Sequence, residues 1–179
     1  MPRIAPVTSP NVDTHVAATL SQLKASLGMV PNTLATLGNA PVALDGYLSL
    51  SKTLSRGRLS ARQREILALA IAQENECQYC LSAHTASSKA IGLSATDVYN
   101  ARAGRSEDPF ERALTTFARN IVRERGLISD QSLEMARKAG IDDSLMLEIV
   151  AVVALNTLTN YANRLADPDV DFPVVATEI

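Results

Sequence analysis

Apolar residues recur at helical intervals along almost the whole chain, and no segment shows a sustained β-type alternation. Residues 1–12 carry three prolines and predict an extended arm. Asp13 can cap a first helix that ends at Gly28. Pro31-Asn32 opens a short helical turn, which Gly38-Asn39-Ala40-Pro41 breaks. Leu44, Leu48, Leu50 and Leu54 set a helix over 43–54, ended by Arg56-Gly57-Arg58. Ser60 caps the next one, ARQREILALAIAQENE. A break near Cys77 leads into a helix from about Gln78 to Ala90, closed by Gly92.

Ser94 with Asp97 reads as a capping box, and Gly104 to Asp108 as a loop. Pro109 sits in the first turn of a helix running to about Arg125. Ser129 caps a short helix ending at Gly140, and Asp142-Asp143-Ser144 opens a last long helix to about Ala166. The remainder, DPDVDFPVVATEI (167–179), has no period and predicts an irregular tail. The expected fold is therefore all-α, a bundle of about eight helices in a single domain spanning 1–179. Ile149 to Leu155 is apolar on every side, which requires burial all round, in the bundle centre or between subunits.

Composition narrows the function. The 179 residues are 46% apolar, with a net charge of −2, so neither nucleic acid nor an anionic membrane is an expected partner. Ile149–Leu155, the longest apolar run, is too short to span a bilayer. MPRIAPVTSP lacks the apolar core of a secretory signal, and the expected location is the cytoplasm. Trp is absent and aromatics are 4%, which argues against a base- or sugar-stacking surface.

The chemistry concentrates in ECQYCLSAHT, Glu76 to Thr85. Cys77 and Cys80 are the only cysteines, and His84 is one of two histidines. In a reducing compartment such a pair is redox-active or metal-binding rather than a structural disulfide, and no βαβ context marks it as thioredoxin-like. On one helix the three side chains would fall within roughly 60° of each other. Cys77, at the helix N-terminus, gains from unpaired N–H groups that favour a thiolate. His84, one turn past Cys80, can take a thiol proton. Two thiols three residues apart can close a disulfide, so that one attacks an oxidant and the other resolves it. On the preceding helix, Glu65 lies among Ala61, Ala68, Leu69 and Ala72 and points inward, where His84 or a water beside Cys77 would be its partner in a proton relay.

Plainer readings compete. The cysteines could be core residues. Zinc could take Cys77, Cys80 and His84 with Glu65 as fourth ligand, although no second Cys/His pair exists. Glu65 alone fits a structural ion pair with an arginine equally well. His15 reads as a surface or capping histidine. Asn156, Asn160 and Asn163 share one face of the last helix and either hydrogen-bond between helices, line a pocket or bridge subunits. Phe110, Phe117, Tyr47 and Tyr99 read as core or interface residues rather than substrate contacts.

The pattern E-x11-C-x2-C-x3-H resembles that of the AhpD-like alkylhydroperoxidases, within the all-helical carboxymuconolactone decarboxylase superfamily. MVPNTLATLGNAPVALDGYLSL (29–50) and ALNTLTNYANRLADPDVDFP (154–173) are similar to segments of its peroxidase-related subgroup. The resemblance implies a peroxidase of peroxiredoxin-type activity, with Cys80 as the peroxide-reacting thiol, Cys77 as its disulfide partner, and Glu65 and His84 as the relay. It implies a peroxide substrate, an external dithiol as reductant, no cofactor and no metal. It also implies a homo-oligomer: dimer, trimer or hexamer. The founding AhpD proteins carry a histidine where this chain has Tyr79. From position alone, the helix end favours Cys77 as attacking thiol and the turn to His84 favours Cys80. Two alternatives stand beside this one: a non-catalytic zinc-binding or redox-sensing module, and a lactone decarboxylase, a branch that usually lacks the cysteine pair.

Overall fold

A computed structural model describes residues 1–8 and 12–179. The expected arm therefore falls partly, at residues 9–11, outside the described residues. Among the described residues there are nine helices and no strand: α1 (Thr14–Leu27), α2 (Asn32–Leu37), α3 (Pro41–Leu54), α4 (Ala61–Glu74), α5 (Gln78–Ala90), α6 (Ala95–Ala103), α7 (Pro109–Arg123), α8 (Asp130–Lys138) and α9 (Asp143–Ala166). The all-helical expectation holds. The ninth helix is the turn after Pro31, which reaches Leu37 with five buried residues and is a packed element.

The caps explain the boundaries. Ser60 and Gln63 form a reciprocal capping box on α4, and Ser94 and Asp97 do the same on α6. Asp108 accepts from the N–H groups of Phe110 and Glu111, with Pro109 in the first turn of α7. Asp13 caps α1, and left-handed Gly28 ends it. At α3, proline occupies the first helical position, so the helix starts at Pro41, earlier than its leucine pattern.

The helix buried all round is α4. Ile66 through Ala72 are all buried, and α4 packs against α5, α6, α7 and α9. Its alanines let neighbours approach on every side. The expectation of all-round burial for Ile149–Leu155 does not hold within one chain. Ile149, Val152 and Val153 are buried, whereas Val150 and Ala154 are exposed. They belong to an open stripe, Leu147, Val150, Ala154, Leu158, Tyr161 and Leu165, about 27 Å long at 1.5 Å per residue. By length and mean hydropathy (1.5 over its best window) α9 also meets the requirement for crossing a membrane, which the unbroken apolar run alone did not suggest. Its inner face, however, packs against α2, α3, α4, α5 and α7 and carries three buried asparagines.

The main core joins α4, α7 and α9 through Leu67, Ile71, Leu114, Phe117 and Ile149. A second cluster joins α1, α2 and α3 through Val16, Leu34, Leu37 and Leu44. Gly38 lets the arm lie against it, because a Cβ there would stand 2.8 Å from Val7 Cγ2. A third cluster collects Cys77, Tyr79, Cys80 and Leu81 under Val170, Phe172 and Val175 of the tail. The tail has no helix or strand, yet it is held closely. Val175 N–H donates to Ser82 Oγ (3.0 Å), Gln73 Nε2 to Thr177 O (2.7 Å), and Arg102 to Ala176 O (2.7 Å).

Candidate active site

The site lies where the second and third clusters meet. Glu76 ends the α4–α5 connection with a left-handed φ of 50°, uncommon for a residue with a side chain. That turn sets Cys77 as the N-cap of α5, in extended conformation. Cys77 is thus outside the helix rather than part of a helical stripe. Its Sγ accepts from Cys80 N–H at 3.3 Å, and Cys77 and Cys80 are joined by a disulfide, with Cα atoms 5.3 Å apart. Both are buried, at 1% and 3% exposure.

Glu65 and His84 are brought together from α4 and α5: His84 Nδ1 lies 3.0 Å from Glu65 Oε2. Glu65's partner is therefore the histidine, not an arginine. Largely buried carboxylates that do take arginines are Glu74, with Arg119 and Arg123, and Glu111, with Arg62 at 2.8 Å. Burial is the largest single influence on His84 and disfavours its charge. The charge of Glu65 and its hydrogen bond together outweigh burial, and His84 is held above the ordinary histidine value.

Cys80 and His84 line a cleft of about 180 Å³, walled by Leu27, Leu34, Ala83 and Phe172 and carrying Tyr47, Tyr79, Thr33 and Asn163. Tyr47, assigned from the sequence to the core or an interface, packs on the α1–α3 cluster and also faces this cleft. Burial raises its phenol above the usual value, with Glu65's charge adding to the effect. Phe117 is in the core, Phe110 packs against it, and Tyr99 is exposed.

Tyr79, between the cysteines, lines the cleft and sends its hydroxyl to the tail. Its hydroxyl donates to Asp171 Oδ1 at 2.5 Å and accepts from Thr33 N–H at 3.2 Å, and its ring meets Phe172 edge-on. Burial, then the hydrogen bond to Asp171, raises the phenol far above its ordinary value, so it stays a donor at neutral pH. It clasps the tail.

Of the three asparagines on α9, Asn156 bonds its own helix at Val152 O (2.9 Å), and Asn160 accepts from Asn75 Nδ2 (2.8 Å). Asn163 reaches the sulfurs. Its Nδ2 donates to Cys80 Sγ at 3.2 Å and lies 4.0 Å from Cys77 Sγ. Thr33 Oγ1 donates to Asn163 Oδ1 at 2.8 Å. Sequence reasoning placed Asn163 on the right face without a partner, and it did not single out Thr33 or Asp171. The only sequence signal for Asn163 was an amide on an apolar helix face.

The other singled-out groups lie elsewhere. His15 is on the surface, 2.9 Å from Asp45, whose hydrogen bond raises it above the ordinary value. A larger polar cavity, about 430 Å³, lies between α4, α6 and α7. Within it Arg62 reaches Asp97 and Glu111, each at 2.8 Å. Zinc on Cys77, Cys80, His84 and Glu65 would need two free thiolates, and here the sulfurs are bonded together. Among the described residues no group of three or more His, Cys, Asp or Glu side chains is arranged to hold a metal ion.

Residues 41–124, from the start of α3 to the end of α7, match the model of the carboxymuconolactone decarboxylase family. That match covers just under half of the chain. The family segment contains Glu65, Cys77, Cys80 and His84, while Thr33, Asn163 and Asp171 lie outside it. No curated protein matches the sequence. Among solved structures, the chain is similar in fold to the AhpD core of an uncharacterized peroxidase-related protein from Ralstonia eutropha JMP134. That likeness has a TM-score of 0.82 at 20% identity and covers 94% of this chain and 93% of the other. A peroxidase-related protein from Silicibacter sp. TM1040 gives 0.79 at 22% identity, covering 97% and 93%. The debrominase Bmp8, in complex with 2,3,4-tribromopyrrole, gives 0.78 at 17% identity, covering 94% and 91%. At these identities the likeness establishes the AhpD-like fold.

Proposed function

We propose that this protein is a thiol-dependent peroxidase, reducing hydrogen peroxide or an organic hydroperoxide through Cys80 and Cys77. The observation that carries the reading is the juxtaposition of a CxxC disulfide with a carboxylate–imidazole pair 3.0 Å apart, beside one cleft. A CxxC held only for stability would need no such pair. The similarity in fold to peroxidase-related proteins supports the same conclusion.

In the proposed cycle the reduced Cys80 thiol gives its proton to His84, whose charge Glu65 supports. The Cys80 thiolate attacks the distal peroxide oxygen. An S–O bond forms, the O–O bond breaks, and the departing oxygen takes the proton from His84 and leaves as water or alcohol. Cys77 as thiolate then attacks the sulfenic sulfur. The S–S bond forms, and hydroxide leaves as water with the proton that Cys77 had carried. An external dithiol reduces the disulfide and is itself oxidised. The apolar cleft walls favour an organic hydroperoxide over hydrogen peroxide.

The same reading holds a cytoplasmic enzyme, a single domain over 1–179, and a homo-oligomer built on the open α9 stripe. An apolar face of that length on one subunit is costly in water.

The test is peroxide consumption with a dithiol reductant, run beside thiol counting by mass spectrometry, for wild type and Cys80→Ser. Turnover by wild type with loss of two thiols, and none by Cys80→Ser, is the expected result. Absence of peroxide-dependent thiol loss in the reduced wild type overturns the reading.

A further inference from the structure

We infer that Asn163 is a fixed hydrogen-bond donor to the reacting sulfur, and that Thr33 aims it. The amide stabilises Cys80 as thiolate and selects it over Cys77. Its mechanistic consequence rests on the peroxidase reading; the contact itself does not.

Three observations carry this. First, the reach is unequal: 3.2 Å to Cys80 Sγ against 4.0 Å to Cys77 Sγ. The helix-end position of Cys77 and the amide of Asn163 therefore act on different sulfurs. Cys77 takes the backbone N–H of Cys80, and Cys80 takes the side-chain amide. Second, the amide's orientation is set rather than free. Thr33 Oγ1 donates to Oδ1, which turns the NH₂ group toward the sulfurs, and Thr33 N–H is in turn taken by Tyr79 Oη. Asn163 is 5% exposed and Thr33 7%, so neither turns out to water. Third, a disulfide sulfur is a weak acceptor, whereas a thiolate is a strong one. A buried donor set against a weak acceptor in the oxidised state gains most when that acceptor becomes charged. The contact strengthens on reduction, where catalysis needs it, and so favours the transition toward charge on Cys80. Being uncharged, the amide does this at any pH, independently of the His84–Glu65 pair.

Both residues lie outside the family segment at 41–124. The cysteines, Glu65 and His84 come from within it, and the donor is added by α2 and α9.

The experiment uses the Cys77→Ser protein, in which Cys80 is the one remaining thiol, and follows the rate of alkylation by iodoacetamide against pH. Asn163→Leu removes the donor at nearly constant volume. Thr33→Val removes the aiming hydroxyl, and Thr33→Ser retains it. The expected result is a midpoint raised by about one pH unit or more in Asn163→Leu, a smaller rise in Thr33→Val, and the parental midpoint in Thr33→Ser. Parental midpoints in folded Asn163→Leu and Thr33→Val overturn the inference. Should Asn163→Leu not fold, the comparison of Thr33→Val with Thr33→Ser decides, equal midpoints overturning it. No peroxide enters the measurement. A raised midpoint in a protein that consumes no peroxide would leave the donor standing and remove the peroxidase reading.

Discussion

Tyr79, one of the two residues between the cysteines, donates its hydroxyl to Asp171, 92 positions further along the chain and 2.5 Å away. The bond closes the tail over the disulfide. Tyr79→Phe keeps the ring and its contact with Phe172 but leaves Asp171, among the described residues, with Asn32 N–H as its remaining partner at 2.7 Å. The expected cost is about 1–2 kcal/mol, seen as a lower urea midpoint, with earlier proteolytic cutting in the tail. Peroxide turnover should persist, because the phenol carries no relay proton. Loss of turnover in a folded Tyr79→Phe protein would contradict that assignment.

The His84–Glu65 pair makes stability depend on pH in a definite direction. His84 is raised in the folded protein, so its charged contact contributes fully below the unfolded histidine value, about 6.5, and fades as pH rises through the higher folded value. The unfolding free energy of wild type relative to His84→Gln should be larger at pH 6 than at pH 8.5. A difference that is flat or grows with pH would reverse the sign.

Glu65→Gln leaves burial as the main influence on His84, and burial lowers it. The limb of the pH–rate profile that belongs to His84 should move to lower pH, with a loss of activity on the order of tenfold to a hundredfold. Steady-state rates between pH 5 and 9 give both numbers.

Glu76 holds a left-handed conformation at φ 50° and makes only a loose, exposed contact with Arg164, at 3.7 Å. The strain, about 1 kcal/mol, outweighs an ion pair of that kind. Glu76→Gly should therefore be neutral or stabilising by up to about 1 kcal/mol, less the entropy that glycine adds to the unfolded chain. Urea denaturation measures the balance, and a clear loss would mean that the Glu76 side chain contributes more than its contacts indicate.

The α9 stripe predicts association. Leu158→Glu sets a carboxylate in the middle of the exposed apolar face without touching the buried one. Light scattering should show wild type above 19.1 kDa and the variant moved toward that mass. Wild type already at the single-chain mass would remove the oligomer from the proposal.

Where a local rule fixes a feature, the sequence showed it. Ser60, Ser94 with Asp97, and Pro109 marked helix starts, because capping is a matter of four or five neighbouring residues. Gln78 and Ala90 bounded α5 for the same reason. The inward wheel position of Glu65 left His84, a water or an arginine as its partner, and the structure supplies His84. The contacts that were missed depend on chain distance. Asn163 meets Cys80 across 83 positions, and Thr33 meets Asn163 across 130. The tail looked structureless because its order comes from single hydrogen bonds to Ser82, Gln73 and Arg102, which leave no period in the residues that make them. The apolar run on α9 was assigned burial in the bundle centre or between subunits, because periodicity registers hydrophobicity but not which neighbour is present. Alanine-rich α4 took the centre instead.

The guanidinium of Arg102 holds the carbonyls of Ala176, Thr177 and Glu178 in one grip. The opposite terminus is anchored differently: the N–H groups of Arg3 and Ile4 both go to Ala166 O, at the end of α9. An affinity handle or fluorescent fusion is therefore not equivalent at the two ends. Attached after Ile179 it loads the clasp that covers the thiols, and attached before Met1 it pulls on the end of the helix that carries Asn163. An untagged preparation, cut free of its handle, is the proper reference for every rate measured on this protein.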